Sequence, residues 1–578
     1  MFEERPSPAK VTAAAAAKLP RWALLALLAA FILPGLLERD PWTLKDAASF
    51  GVMWTMAQGS LGDWLLPHVA GAAATESGPL TGWLGAVLIR AFGDWLGAPS
   101  AARLSIVVWF AIATSSLWYA TWRLARRAEA LPVAFAFGGE ANARDYGRAL
   151  ADVAVLLLVA SFGLVVRLHE AVPDTGLFAL AALAFFGLVW SLDRPLAGAT
   201  LAGAAAGGIV LASSVQAASW ILLASLILAF TTPGPRYLRA ASALAAAGVV
   251  ACAWPVAAWI WAGPEAGPWL SAWWQDNLHD FGLLSGEGYV WLARNLAWYT
   301  WPLWPVAAWA MYAWRHAWRQ PHMLVPLVWL ATVSLGFVFS SKLGDSQMML
   351  LVPPLAVLGA FGVSSLRRGA ENVIDWFSIA AFTLVGAALW LYFIAWATGW
   401  PPKMARSLMR FAPDTAVSVH PLYFLVAVAA TVAWAGLVLW RIRRHPMVIW
   451  RGPWLAAAGL TMTWMVVVGL FRDAVQTNRD YRQLAHSASA LLVKAGATPQ
   501  DCVQAWQVPA GVRALIAYHG QVNFAPERAS GPCRFVLQRD MQRSAIDSAL
   551  PPGAWETAGA VSARTRPDEV LRILTPQH

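Results

Sequence analysis

The chain of 578 residues is 58% hydrophobic and only 13% charged, with a mean hydropathy of +0.52. Soluble domains carry about a quarter charged residues, so this composition excludes a protein that faces water on all sides. The net charge of +10 does not point to nucleic acid, because Lys and Arg lie in short clusters between apolar runs, as in cytoplasmic loops.

Each crossing needs about 20 apolar residues, and flanking Lys and Arg set its direction. The opening MFEERPSPAKVTAAAAAKLPRW leads into an apolar run at 23–37 with no cleavage site, which predicts an uncleaved first span. Lys10, Lys18 and Arg21 place the N-terminus in the cytoplasm and the loop 38–80 in the periplasm. Residues 80–96 hold Arg90 and Asp94 and read as an amphipathic juxtamembrane helix along the interface. Residues 104–124 cross back to Arg123, Arg126 and Arg127. Alternation then continues through 150–166, 176–192, 197–213, 219–230, 240–262, 290–314, 323–339, 348–363, 376–398, 422–440 and 454–470. Basic clusters such as Arg367–Arg368 and Arg441–Arg444 mark the cytoplasmic ends. The count is about 13 spans with a periplasmic C-terminus. The small residues of LAGAAAGG suit close helix packing.

From 472 the composition turns soluble. Residues 481–495 and VRALIAYHG read as helices, and DCVQAWQV, QVNFAP and CRFVLQ as strands, giving a small periplasmic α/β domain. Cys252 lies in an apolar run as a small buried thiol. Cys502 and Cys533 can form a disulfide if their segment is periplasmic, and no zinc spacing is present.

With the spans oriented, the conspicuous polar residues fall on one side. Asp40, Asp46 and Glu76 lie in the first loop, and His169, Glu170 and Asp174 in the turn RLHEAVPD. Asp276, His279 and Asp280 lie in the loop 263–288, and Lys342 and Asp345 in SSKLGDSQ. Acid, imidazole and amine gathered at one membrane level predict a catalytic cleft, although loops are polar in any case. A lipid-anchored sugar phosphate presents its phosphate at that depth. Cleaving it needs cations for the departing phosphate and a carboxylate for the incoming hydroxyl. No Walker sequence and no GxGxxG opening a βαβ unit occurs, which favours a lipid-phosphate donor over an ATP-driven pump.

The order of motifs resembles the GT-C superfamily, and within it the bacterial relatives of protein O-mannosyltransferases and of the lipid A aminoarabinose transferase. Those proteins carry an acidic motif after the first span, then Gly-Asp-Trp-x-x-Pro, Glu-Lys-Pro-Pro and Ala-Arg-Leu. The matching residues are Asp46, GDWLLP (62–67), ESGPL (76–80) and AARL (101–104). Asp174, His279 and SSKLGDSQMMLLVPPLAVL (340–358) match later family positions. Two departures stand out: Ala47 follows Asp46 where the family has Glu, and Ser77 and Gly78 replace Lys and Pro.

The resemblance implies a polytopic α-helical GT-C fold of about 13 transmembrane helices, with periplasmic juxtamembrane helices and a C-terminal α/β domain. It divides the chain into a membrane part, 1–471, whose loop 38–103 carries the site, and a soluble part, 472–578. It implies a bacterial inner-membrane glycosyltransferase moving a sugar from a polyprenyl-phosphate donor to lipid A, a glycan or a protein hydroxyl, with no nucleic-acid partner.

Asp46 is the expected general base or acceptor-orienting group, against the plainer role of helix N-cap. Asp174 is expected, from its match to the family, as the second catalytic carboxylate, against the plainer role of a cap at the start of a span. Lys342 and Arg103 are expected to hold the donor phosphate, against snorkelling for one and anchoring of a span for the other. Trp64, Glu76, His169, Glu170 and His279 are expected around the cleft, with Trp64 more suited to packing than to stacking on a sugar. Asp40, before Pro41, suits a turn. No cofactor is required, but Glu76, Asp174 and His279 offer an oxygen-and-imidazole set for an optional divalent metal. Two rivals are a transporter or flippase of a lipid-linked sugar and a degenerate assembly subunit. A transporter calls for mid-membrane charges and internal repeats, and neither is evident. The Ala47 and Ser77 departures keep the assembly subunit open.

Overall fold

Inside a bilayer an apolar run can satisfy its backbone only within itself, so it folds as a helix. The computed structural model describes residues 7–412, 420–444, 447–479, 481–498, 500–526, 533–541, 555–563 and 566–576. Among the described residues, nine helices are long and apolar enough to cross a membrane, the longest-hydropathy pair being Arg368–Thr398 and Pro421–Arg444. Two shorter apolar helices, Arg21–Ile32 and Val215–Thr231, accompany them. The protein is a polytopic helical membrane protein.

Four of the 13 expected spans lie outside these nine: the run at 219–230 is the 17-residue helix Val215–Thr231, and the chain breaks or shortens the other three. The run at 23–37 is helical only over Arg21–Ile32, because Pro34 and Gly35 (φ +85°) turn the chain toward the site. The run at 290–314 is split into Gly286–Tyr299 and Leu303–Ala313, Pro302 having no amide hydrogen to continue the ladder. The run at 150–166 becomes the helix Ala143–Val159. Residues 80–96 form the helix Leu80–Leu96, as the amphipathic pattern predicts.

The small-residue segment works through backbone proximity. A Cβ at Gly198 would collide with the backbone of Ser191, and one at Gly203 with the backbone of Ala243. The helix Pro195–Ala212 is therefore wedged between Pro173–Trp190 and Arg236–Trp261 at distances that only glycine allows.

The last long helix runs Arg451–Arg479. Beyond it, the helices Arg482–Lys494 and Ala510–Gly520 pack on a four-stranded sheet in the order Val503–Trp506, Phe535–Met541, Arg566–Pro576 and Trp555–Ala563. The first pair is parallel and the others antiparallel. The last two strands escape the sequence pattern, which offers no clear alternation there. The core of this unit joins Leu484, Leu492, Val512, Ile516, Phe535 and Ile573, and it takes in Ala47 from the membrane part.

Cys502 and Cys533 are disulfide-bonded across a separation of 31 residues. Closing such a loop restricts the unfolded chain by roughly 3–4 kcal/mol. The variant Cys533→Ser is therefore expected to make the C-terminal unit markedly more sensitive to limited proteolysis. Wild-type resistance in that variant would mean that the sheet alone holds the loop. Cys252, expected to be buried, is exposed on the outer side of its helix.

Candidate active site

The site is built around the start of the helix Leu44–Gln58. Thr43, in extended backbone, caps it by accepting the Asp46 amide at 3.2 Å. Asp46 is therefore not the cap; it sits in the first turn, where the helix dipole favours a carboxylate. Its side chain is only 1% exposed. Oδ1 accepts the Ala171 amide at 2.9 Å, and Oδ2 faces Arg39 at 3.9 Å and Arg103 at 3.7 Å. Asp46 thus staples the first loop to the turn before Asp174 and compensates two buried guanidinium groups. Sealed between two arginines, it does not suit the expected part of general base or acceptor-orienting group.

Arg103 is corrected with it. It is 1% exposed and donates to the Arg39 carbonyl at 2.6 Å, so it faces inward rather than toward a lipid phosphate. Arg39 stacks over Trp42 at 4.1 Å and donates to the carbonyls of Gly35 and His169. Burial, followed by the like charge of Arg103, pushes the Arg39 guanidinium down to about 9.

His169 is a packing residue. It is buried, its two ring nitrogens face the carbonyls of Val165 and Phe31, and it lies 4.3 Å from the Trp464 ring. Burial pushes it down to about 4 from an ordinary 6.5. Between these values the unfolded chain holds a proton that the folded one lacks, so stability falls as pH drops from 6.5 toward 4, by up to about 3 kcal/mol. His169→Gln is expected to flatten this loss in melting curves taken across that range. A variant with the wild-type slope would assign the titration elsewhere.

The open part of the site lies one layer out. Lys45 reaches Asp174 at 3.3 Å, its side chain 54% exposed against 5% for the carboxylate. Asp174 occupies the first turn of Pro173–Trp190. Arg167 joins Glu170 at 2.8 Å and Asp345 at 2.6 Å through its Nε. Burial, and then the neighbouring Asp46 carboxylate, push the Glu170 carboxyl up, against the pull of Arg167. The buried Tyr299 hydroxyl approaches the Asp345 carbonyl at 3.4 Å and lies within electrostatic reach of Asp174 and Arg167. Asp174, Lys45, Arg167 and Asp345 thus share one rim. Lys45 and Arg167 are cations that the sequence reading passed over, although Lys45 adjoins Asp46 and Arg167 opens RLHEAVPD.

Two further loops meet beside this rim. The Ser341 amide donates to the Asp280 carbonyl at 3.0 Å and its hydroxyl to that of His279. Lys342 is exposed, with its charge felt by Asp280. The Thr75 hydroxyl donates to Asp276, bringing the exposed Glu76 toward the same side. Glu76, Asp174 and His279 nevertheless do not converge. Among the described residues no three His, Cys, Asp or Glu side chains are arranged to hold a metal, which corrects that ligand set. Trp64 lies under Arg90 at 5.0 Å, and its carbonyl accepts from Trp83 at 2.7 Å, so it packs within the loop.

Asp40 is more than a turn residue. It joins Arg482 at 2.8 Å and His519 at 3.5 Å, tying the first loop to the C-terminal unit. Burial raises the Asp40 carboxyl, but His519 and Arg482 outweigh it and hold it below the ordinary carboxylate range. A cavity of about 470 Å³ opens beside this clasp, lined by Glu38, Arg39, Asp40, Arg482, His486 and His519 among others.

Solved structures of similar shape include ArnT from Cupriavidus metallidurans, once in the apo state and once bound to undecaprenyl phosphate. The sequences are 14% identical, and the alignments cover 96% of this chain and 96–97% of that one, with TM-scores of 0.62 and 0.63. The chain has the GT-C fold. No family model matches the sequence, and no curated protein does. The likeness to ArnT is thus one of fold, shared with few identical residues.

Proposed function

We propose that this GT-C protein transfers a sugar from a polyprenyl-phosphate donor to an oxygen nucleophile at the membrane face that carries loop 38–103. The observation that carries this reading is the Lys45–Asp174 contact beside Arg167: two partly open cations next to a carboxylate in the first turn of the span Pro173–Trp190. Lys45 and Arg167 hold the donor phosphate, and Lys342, three residues ahead of Asp345 on the same loop, adds a third cation. Asp174 takes the proton of the acceptor hydroxyl as its oxygen attacks the anomeric carbon. The bond from that carbon to the phosphate oxygen breaks, and the polyprenyl phosphate leaves with the electron pair. Asp46, Arg39, Arg103 and Glu170 position this rim without touching substrate. The chemistry is assigned to these side chains, with no cofactor in any step.

The same reading places the protein in a bacterial inner membrane, with the N-terminus cytoplasmic and the site and C-terminal unit periplasmic, following the arginine clusters. It treats 1–471 as the membrane part and 472–578 as the soluble part. The undecaprenyl phosphate bound by ArnT supports the donor class. Acceptors are lipid A, a glycan or a protein hydroxyl. Purified protein incubated with undecaprenyl phosphate carrying labelled sugars, and with each acceptor class in turn, is expected to move label into one of them. Failure with every donor and acceptor would refute the transferase.

A further inference from the structure

We propose that the helix Pro402–Phe411 is a docking surface for the phosphate headgroups of anionic phospholipids. It connects the site-side ends of two long spans, Arg368–Thr398 and Pro421–Arg444. Lys403, Arg406 and Arg410 are spaced three and four residues apart, which sets them within about 60° around the helix axis. All three are exposed. Among the described residues none of them pairs with a carboxylate, and the Arg406 Nε donates only to the carbonyl of Pro402, at 3.2 Å.

The other side of this helix is anchored in the protein. Ala405 is buried and Leu408 packs against the cluster holding Phe393, Trp396 and Phe471. Met409 and Phe411 remain exposed beside the cations, at 51% and 42%. An interfacial helix with cations on one stripe and bare apolar side chains next to it matches the boundary between headgroups and acyl chains.

The position of this stripe adds to its chemistry. The next span begins beside the site loop: the Tyr423 hydroxyl donates to Glu38 at 3.3 Å, and Arg472 pairs with the same carboxylate at 3.2 Å. The opposite ends of the two spans carry Arg367, Arg368, Arg441, Arg443 and Arg444, which already satisfy the usual bias of cations to one side. Lys403, Arg406 and Arg410, without a carboxylate partner among the described residues, lie on the site face and contribute nothing to that bias. They are complementary to negative headgroups in the leaflet where substrate would enter, and each cation near such a surface strengthens attachment several-fold.

The test uses the full chain with an environment-sensitive fluorophore on Ser407→Cys, in a Cys252→Ser background, titrated with mixed micelles. Phosphatidylglycerol is expected to shift the signal at a concentration about tenfold or more below that needed for phosphatidylcholine. Adding K403Q, R406Q and R410Q together is expected to abolish that preference while elution on size exclusion stays unchanged. Equal response to the two lipids, or a preference that survives the triple substitution, would overturn the proposal. A shift produced by inorganic phosphate alone would overturn it too, by making the site one for the free anion.

Discussion

Asp174→Asn is expected to lower turnover in the sugar-transfer assay by about 10²–10⁴-fold, the range for loss of a positioned proton acceptor. The amide keeps the size and the position in the first helical turn but cannot take a proton. The cost to stability is expected to be small, about 1 kcal/mol, because its partner Lys45 is half exposed and surface pairs contribute little. Lys45→Met separates the two roles, since it removes a phosphate-holding cation and leaves the carboxylate. It is expected to raise KM for the donor more than it lowers kcat. If Asp174→Asn turns over like the wild type, Asp174 is not the base, and the rim needs another proton acceptor.

Asp46→Asn is expected to act first on the fold. Asparagine still offers an oxygen to the Ala171 amide, so the substitution isolates the charge. Arg39 and Arg103, both almost fully buried, then lose the anion between them. Leaving buried charge uncompensated costs about 3–5 kcal/mol, which should appear as a clear drop in the thermal midpoint of the solubilised protein. Activity should fall as well, because the turn that carries Arg167, Glu170 and Asp174 is held through Ala171. A variant with the wild-type midpoint would show that the Arg39–Asp46–Arg103 arrangement carries little of the fold's stability.

Ala47, where the motif of the resemblance has glutamate, has a packing reason. Ala47 is buried in the core of the C-terminal unit, beside Val512 and Leu515, on the helix face turned away from the rim. A glutamate there would place an unpaired charge in an apolar core. Gly51, one turn on, leaves room for Ala514, and Gly511 sits against the Leu44 carbonyl. The helix Leu44–Gln58 uses small residues on this face for close contact with the C-terminal unit.

The membrane class, most of the spans, the amphipathic helix at 80–96 and the small C-terminal unit with its pairing of Cys502 and Cys533 follow from the order of residues alone. Each depends on local composition: a run long enough to cross, arginines at its end, a period of two or of 3.6. Which polar residues meet was decided only in three dimensions. Lys45 and Asp174 are 129 positions apart, Asp46 and Ala171 125, and Asp40 and Arg482 442. No local pattern encodes such distances. An aspartate reads the same in sequence whether it ends at an open rim, as Asp174 does beside Lys45, or is sealed between two arginines, as Asp46 is. Burial and partner charge set that difference, and both are properties of the packed helices rather than of any one stretch of chain.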